Sequence, residues 1–266
     1  MSALGPVDLV FSGSGTLIPC HVGAWAALDK GGAEIKRVAG TSGGGIVAAG
    51  IALGWRPDEA RTLGQRFLAG GLLDPSWWFF DRWGVHKWEK LRKLFAKHLP
   101  GKMGDTKIEL RVMVVDLETQ RPVELTSSTH PHLAIADVLA ATSSIPAFAK
   151  VQKIKGLPGT FVDGGVSTNF AMGIFDDVPD RRTIGVRLVT SPGRKRIKNV
   201  SEWAIALVGS MHDAANRSYV SSKRWADVIE VRSKGDGMDF MLGSTEVDAL
   251  YNEGESAATD WLKARS

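Results

Sequence analysis

Two glycine-rich turns near the start of the chain, each joining a short apolar run to a helix, restrict the fold more than any other feature. Val7–Phe11 ends at the turn Ser12-Gly13-Ser14-Gly15, and Ile35–Ala39 ends at Gly40-Thr41-Ser42-Gly43-Gly44. Continuous apolar runs of this length, bounded by glycine turns and followed by helical spacing, are typical of buried strands in a parallel sheet. The pattern therefore predicts two consecutive strand–turn–helix units.

The same alternation continues along the 266 residues, of which 44% are hydrophobic. Further strands are predicted at Ile108–Val115, Val123–Thr126, Thr160–Val162, Thr183–Val189 and Asp227–Val231. Helices are predicted at His21–Asp29, Ile46–Leu53, from Pro57 onward, His86–His98, Leu133–Ala141, Val200–Ser221 and Thr245–Lys263. We expect one domain over residues 1–266, with an α/β fold whose mostly parallel central sheet is covered on both faces.

The second turn places Ser42 where the nucleophile of a hydrolase is expected. A Gly-x-Ser-x-Gly sequence between a strand and a helix holds the serine on a strained bend, which Gly40, Gly43 and Gly44 permit because they are small. The helix that follows contributes unpaired N–H groups and the positive end of its dipole. On this motif alone, a turn that only packs a helix on a strand is an equally good interpretation.

The first turn could supply an oxyanion hole. Adjacent parallel strands would bring Gly13, Ser14 and Gly15 beside Ser42, and acyl transfer needs backbone donors directed at the developing oxyanion. The alternatives are a phosphate-binding loop or a simple turn. A nucleotide site fits poorly, because no Lys-Ser or Lys-Thr pair follows and the glycines do not have the dinucleotide-binding spacing.

A third block, Phe161-Val162-Asp163-Gly164-Gly165, places an acid at the end of a short strand. In this order the three blocks resemble the patatin-like phospholipase family, with its glycine-rich oxyanion loop, serine elbow and Asp-Gly-Gly motif. The resemblance extends from about Val7 to about Leu262 and includes the stretch Ala141–Phe148. It implies a three-layer α/β/α patatin-like fold.

The resemblance also implies the chemistry. Ser42 would be the nucleophile, Asp163 its only catalytic partner, and the N–H groups of Gly13, Ser14 and Gly15 the oxyanion hole, with Gly164 supporting the aspartate. No metal or other cofactor is expected. The expected activity is that of a lipid acyl hydrolase of the phospholipase A type, with a phospholipid or another lipid ester as substrate.

Two alternatives to this activity and one alternative to the dyad stay open. The same dyad could serve a small-ester esterase or a thioesterase, and a catalytically silent relative could bind lipid or a protein partner. A triad of Ser42, Asp163 and His212 is also conceivable, although His212 falls in a predicted helix. His21 lies near the oxyanion loop and could orient it.

The sequence departs from the family pattern at three places. Ser14 takes the position of a middle glycine, and Leu17 and Ile18 stand where a basic residue and a glycine are usual. After Asp163, the sequence Asn169-Phe170-Ala171 lacks the usual proline. The departures at Leu17 and Ile18 bear on how the loop is anchored and on whether it meets a charged headgroup.

The least matched part is an aromatic-rich segment at about 70–105. It contains five neighbouring aromatic residues, Trp77, Trp78, Phe79, Phe80 and Trp83. They could form a flap that enters the lipid interface, which tryptophan favours, followed by lysines that meet phosphate headgroups. Ordinary core packing and a homodimer interface are equally good interpretations.

Charge and cysteine content bear on location and partners. The formal net charge is only +4, and the densest basic run, Arg194, Lys195, Arg196 and Lys198, is interpreted as a solvated loop with at most a weak attraction to anionic lipids. We expect no nucleic-acid partner. The lone Cys20, the absence of signal-peptide features in Met1–Pro6 and the lack of an 18-residue apolar run predict a cytoplasmic protein in peripheral contact with membranes.

Overall fold

A computed structural model describes residues 4–69, 73–75, 84–178, 180–190, 196–198, 202–203, 206–207, 209–211, 227–239 and 241–265. Within these ranges the strands are β1 Gly5–Phe11, β2 Ala33–Thr41, β3 Gly84–His86, β4 Glu109–Asp116, β5 Arg121–Thr126, β6 Ala147–Ala149, β7 Phe161–Asp163, β8 Arg182–Thr190 and β9 Val228–Ser233. The helices are α1 Ile18–Lys30, α2 Gly43–Leu53, α3 Pro57–Ala69, α4 Glu89–His98, α5 Ile135–Thr142 and α6 Ser244–Lys263.

The central sheet has the strand order β5-β4-β2-β1-β8-β9, and β7 also pairs with β4. Strands β4, β2, β1, β8 and β9 run parallel to one another, whereas β5 and β7 are antiparallel to β4. This arrangement confirms the predicted α/β class with a mostly parallel sheet. The carboxyl ends of β1 and β2 lie side by side, so the two glycine-rich turns meet at one edge.

The two faces of the sheet pack against different partners. Side chains of successive strand residues point to opposite faces. Val7, Leu9 and Phe11 of β1 join the large core formed with the helices. On the other face, Val10 belongs to a smaller apolar cluster. The irregular segment 168–178 contributes Phe170, Met172 and Phe175 to this cluster.

Helices α1 and α6 cross in close contact on the larger core. A Cβ atom at Gly254 of α6 would collide with the backbone carbonyl of Cys20, and one at Gly23 of α1 would collide with the carbonyl of Tyr251. Glycine is therefore required at both positions by the distance between the helix backbones, because any side chain there would push the helices apart.

The predicted helix His86–His98 needs correction at its start. Residues Gly84–His86 form the short strand β3, paired in parallel with β6, and the helix begins at Glu89. The carboxylate of Asp74 accepts hydrogen bonds from the N–H groups of Trp88, Glu89 and Lys90. Asp74 thus caps the helix from a distant part of the sequence, which helical spacing could not reveal.

Several predictions fall partly or wholly outside the described residues. The aromatic residues Trp77, Trp78, Phe79, Phe80 and Trp83 lie there, as does His212. Of the predicted helix Val200–Ser221, residues 202–203, 206–207 and 209–211 are described, and all are helical. In the part of the chain that the structure describes, no helix is both long and apolar enough to cross a membrane.

The helix crossing generates a stability prediction with a matched control. Gly254→Ala should destabilise the protein by about 1–3 kcal/mol, because the added methyl overpacks the contact with α1. Gly64→Ala in α3, where a Cβ atom meets nothing within 4 Å, should instead stabilise by up to about 1 kcal/mol through helix propensity. Urea unfolding measures the free energy of unfolding of both variants. If the two substitutions changed it by the same amount in the same direction, the close crossing of α1 and α6 would be contradicted.

Candidate active site

Ser42 occupies a strained bend between β2 and α2. Its backbone has φ 52° and ψ −125°, so a non-glycine residue adopts a positive φ directly before the helix. Such a conformation costs about 1–3 kcal/mol and persists only where its surroundings hold it. The Ser42 N–H donates to Thr142 Oγ1 at 2.9 Å, and Thr142 Oγ1 donates to the Met113 carbonyl at 2.6 Å. Thr142 thereby anchors the bend to β4.

The glycines around Ser42 allow segments of the main chain to approach one another closely. A Cβ atom at Gly44 would collide with the Ser12 carbonyl, and one at Gly40 would collide with the backbone of Gly44. Gly43 lies against the side chain of Ser14, and Gly164 lies against the Met113 carbonyl. The predicted supporting glycines therefore share one property, which is close backbone approach at the carboxyl edge of the sheet.

Strand β4 brings Asp163 to Ser42. On one side of β4, Thr41 at the end of β2 is opposite Met113. Strand β7 pairs with the same side of β4 where β2 has ended, and its Asp163 is opposite Val114, the next residue. The ends of β2 and β7 thus face each other on one strand, and residues 121 positions apart in sequence become neighbours.

The Asp163 carboxylate is fully buried at this point. Oδ1 accepts a hydrogen bond from the Gly165 N–H at 2.8 Å, and the Asp163 N–H donates to the Ser144 carbonyl at 2.9 Å. Oδ2 is buried without a well-aligned hydrogen-bond partner. Burial raises the pKa of Asp163 to about 7, against smaller lowering effects of the Ser42 hydroxyl and the Gly165 N–H. The carboxyl group can therefore exchange a proton near neutral pH.

The glycine-rich loop offers fewer free donors than its sequence suggests. The Gly13 N–H donates to the Asn169 carbonyl at 2.9 Å. The N–H groups of Ser14 and Gly15, and that of Gly43 at the start of α2, have no acceptor in the described part of the chain. The N–H groups without an acceptor at this edge of the sheet are therefore those of Ser14, Gly15 and Gly43 in the described part of the chain, whereas the Gly13 N–H is already engaged.

The serine in the middle of the loop does not strain the backbone. Ser14 does not adopt a positive φ, whereas Gly15 has φ 54°. The Ser14 side chain is 8% exposed, and its Oγ is buried beside Gly43 without a partner among the described residues. Leu17, at the position where the family has a basic residue, is buried in the main core. The loop is therefore anchored by apolar packing rather than by charge.

Two buried hydrogen bonds hold Ser12, at the start of the loop. His21 Nε2 lies 2.8 Å from the Ser12 carbonyl, and because a carbonyl only accepts, this nitrogen carries the hydrogen. Burial lowers the pKa of His21 to about 4, so the ring is neutral near pH 7. The Ser12 hydroxyl accepts from the Leu188 N–H at 3.0 Å. Both contacts hold Ser12, the residue that joins β1 to the loop.

Thr142, Ser144 and Asn169 contact the site, although their roles were not recognised in the sequence. The first two belong to the block Ala141–Phe148, which resembled the family without indicating what each residue does. Asn169 is 5% exposed, and its Oδ1 is buried beside Gly13 without a partner in the described ranges. Within the same ranges, no cluster of three or more His, Cys, Asp or Glu side chains could hold a metal ion.

The raised pKa of Asp163 predicts a pH-dependent effect of Asp163→Asn on stability. Between pH about 4 and about 7 the folded protein binds this proton and the unfolded chain does not, so Asp163 stabilises the fold progressively less as pH rises. Asparagine does not titrate. Relative to wild type, Asp163→Asn should therefore gain stability from pH 4 to pH 8, by at most about 4 kcal/mol. Urea unfolding at both pH values measures this; a pH-independent difference would contradict it.

Similarity to known proteins identifies the family of this chain. The sequence profile described as Patatin-like phospholipase matches residues 9–176. Uncharacterized protein YqhO of Bacillus subtilis (strain 168) is 32% identical over 250 residues, which cover 84% of this chain and 86% of that protein. Uncharacterized protein R571 of Acanthamoeba polyphaga mimivirus is 23% identical over 243 residues, with coverages of 83% and 80%.

A solved structure shares the fold. VipD from Legionella pneumophila aligns with a TM-score of 0.65 at 13% sequence identity, over 97% of this chain and 67% of that chain. The profile spans more than half of the chain and includes Ser42 and Asp163. This match shows that the chain belongs to the patatin-like phospholipase family, a membership that supports a lipid hydrolase activity.

Proposed function

We propose that the chain is a lipid acyl hydrolase of the phospholipase A type, which cleaves ester-linked fatty acids through Ser42 and Asp163. The observation that carries the proposal is the buried Oδ2 of Asp163, which has no well-aligned partner in the described structure and adjoins Ser42 on its strained bend. A carboxylate with a pKa of about 7 is a much better base at neutral pH than a solvated aspartate.

In the first half of the proposed reaction, Asp163 accepts the proton of the Ser42 hydroxyl as Oγ attacks the ester carbonyl. The negative charge that develops on the carbonyl oxygen is stabilised by the N–H groups of Ser14, Gly15 and Gly43. The proton on Asp163 then passes to the departing alcohol oxygen as the C–O bond breaks. The fatty acyl group remains on Ser42 as an ester.

In the second half, a water molecule takes the place of the alcohol. Asp163 accepts one proton from this water, whose oxygen attacks the acyl carbonyl. The same N–H groups stabilise the second oxyanion, and the proton returns from Asp163 to Ser42 Oγ as the fatty acid leaves. In each half-reaction Asp163 takes up one proton and releases it again, so Ser42 and Asp163 are both restored at the end of the cycle.

The loop contacts support a positioning role for Asn169 and Gly13. The Asn169 carbonyl fixes the Gly13 N–H at 2.9 Å, and the absent side chain of Gly13 leaves room for both Asn169 Oδ1 and the Cβ atom of Ser42. A methyl group at Gly13 would collide with Asn169 Oδ1. Gly13 thus lets the loop approach the serine, while the neighbouring residues supply the donors.

Fatty-acid release from mixed phospholipid vesicles tests the proposal. Ser42→Ala and Asp163→Asn should each lower the rate by at least about a thousandfold, because each removes a group used in both half-reactions. The matched controls are Ser128→Ala and Asp29→Asn, two exposed positions outside the site, which should keep the wild-type rate.

Two results would contradict the proposal. One is a folded wild-type protein that releases no fatty acid from any of the vesicles. The other is an Asp163→Asn variant that keeps the wild-type rate. Activity confined to short-chain esters or thioesters would retain the dyad and replace the proposed substrate class.

A further inference from the structure

A cluster of exposed apolar side chains lies in the segment between β8 and β9. Four of the six large hydrophobic side chains that are exposed in the described ranges belong to it. Ile197 is 51% exposed, Trp203 54%, Leu207 46% and Met211 38%. Exposed apolar side chains that form a contiguous patch mark interaction sites on protein surfaces.

Three of these residues are helical and have the spacing of one helix face. Residues 202–203, 206–207 and 209–211 are helical, and Trp203, Leu207 and Met211 follow one another at intervals of four. Side chains four apart on a helix are neighbours on the same face. Because all three side chains are exposed, this spacing predicts an apolar stripe on the outside of the protein.

The chain around this stripe is basic. Exposed Arg196 and Lys198 flank Ile197. In the sequence from 191 to 211, four residues are basic and Glu202 alone is acidic, so the segment carries a net charge of +3. Apolar side chains that enter the lipid interface and a nearby run of lysine and arginine that attracts anionic headgroups together favour binding to an anionic bilayer. Tryptophan also favours that interface.

The topology places the start of this segment on the side of Ser42. Phe11 of β1 is level with Gly40 of β2 and with Val186 of β8, and the three strands are parallel. Strand β8 continues four residues further, to Thr190, which is about 13 Å beyond that level. The segment therefore leaves the sheet from the same carboxyl edge at which Ser42 lies.

We propose that Ile197, Trp203, Leu207 and Met211, with Arg196 and Lys198, form a docking face through which the chain binds an anionic phospholipid bilayer. This inference rests on the proposed lipid hydrolase function. The docking face would bring the carboxyl edge of the sheet, where Ser42 lies, to the lipid surface. The inference assigns this contact with lipid to residues other than the aromatic cluster Trp77–Trp83.

Vesicle flotation tests the docking face. The wild-type protein should float with vesicles of phosphatidylcholine that contain about one-third phosphatidylglycerol, and much less with phosphatidylcholine alone. Trp203→Glu should lower binding to the anionic vesicles about tenfold or more, because it removes an apolar anchor and adds a negative charge. The matched control, Gly64→Glu, adds the same charge on α3 at a position with open space, and it should bind like the wild type.

Two rates measured in parallel separate docking from catalysis. The ratio of vesicle hydrolysis to hydrolysis of a water-soluble short-chain ester should fall about tenfold in Trp203→Glu.

Two binding results would overturn the docking face. One is a Trp203→Glu variant that binds anionic vesicles as strongly as the wild type, and the other is a wild-type protein that does not bind them. A wild-type dimer that Trp203→Glu dissociates, with vesicle binding unchanged, would overturn it in favour of a second copy. Charge-dependent binding without hydrolysis of either substrate would support the docking face and contradict the proposed function.

Discussion

The site depends on how strand β4 pairs with two partners along one of its sides. Strand β2 pairs with the first part of β4, up to Thr41 opposite Met113, and β7 takes over at Asp163 opposite Val114. Both partners are held by backbone hydrogen bonds to the same strand, so the positions of Ser42 and Asp163 are fixed relative to each other by the sheet. Thr142 adds a third connection, because its hydroxyl joins the Ser42 N–H to the Met113 carbonyl.

The arrangement is costly to stability, and the core of the sheet must offset that cost. A positive φ at Ser42 and an ionisable group buried at Asp163 are each unfavourable in the folded state. They occur together at the carboxyl edge, directly above strands whose apolar side chains are fully buried, such as Leu9 and Val112. Strained and destabilised groups concentrated at one place in a well-packed fold are typical of functional sites.

The sequence predicted the first half of this architecture well for a physical reason. Strands β1 and β2 are continuous apolar runs that end in glycines, and both this composition and the following helical spacing are local signals. The turn at Ser42 was recognisable for the same reason. Asp163 could be singled out only because its block follows the other two in the order typical of a family, since an Asp-Gly pair by itself predicts no more than a turn.

The contacts that complete the site are long-range, and local patterns do not encode them. Nothing in the short run Phe161–Asp163 indicates that it pairs with β4 beyond the end of β2. The bond between Ser42 and Thr142 spans 100 residues, and the Asn169 carbonyl that engages the Gly13 N–H comes from an irregular segment. The start of α4 was misplaced for a similar reason, because Asp74 caps it from outside the helix.

We propose that Asp163, through its raised pKa, activates Ser42. The most direct test is the rate at which a fluorophosphonate labels the protein between pH 5 and pH 9, with the labelled residue located by mass spectrometry. We predict labelling at Ser42 with a rate that rises with pH and has its midpoint at about 7, as Asp163 loses its proton. The Asp163→Asn variant should label slowly and show no such midpoint. Labelling of Ser42 that is equally fast in that variant would contradict the claim.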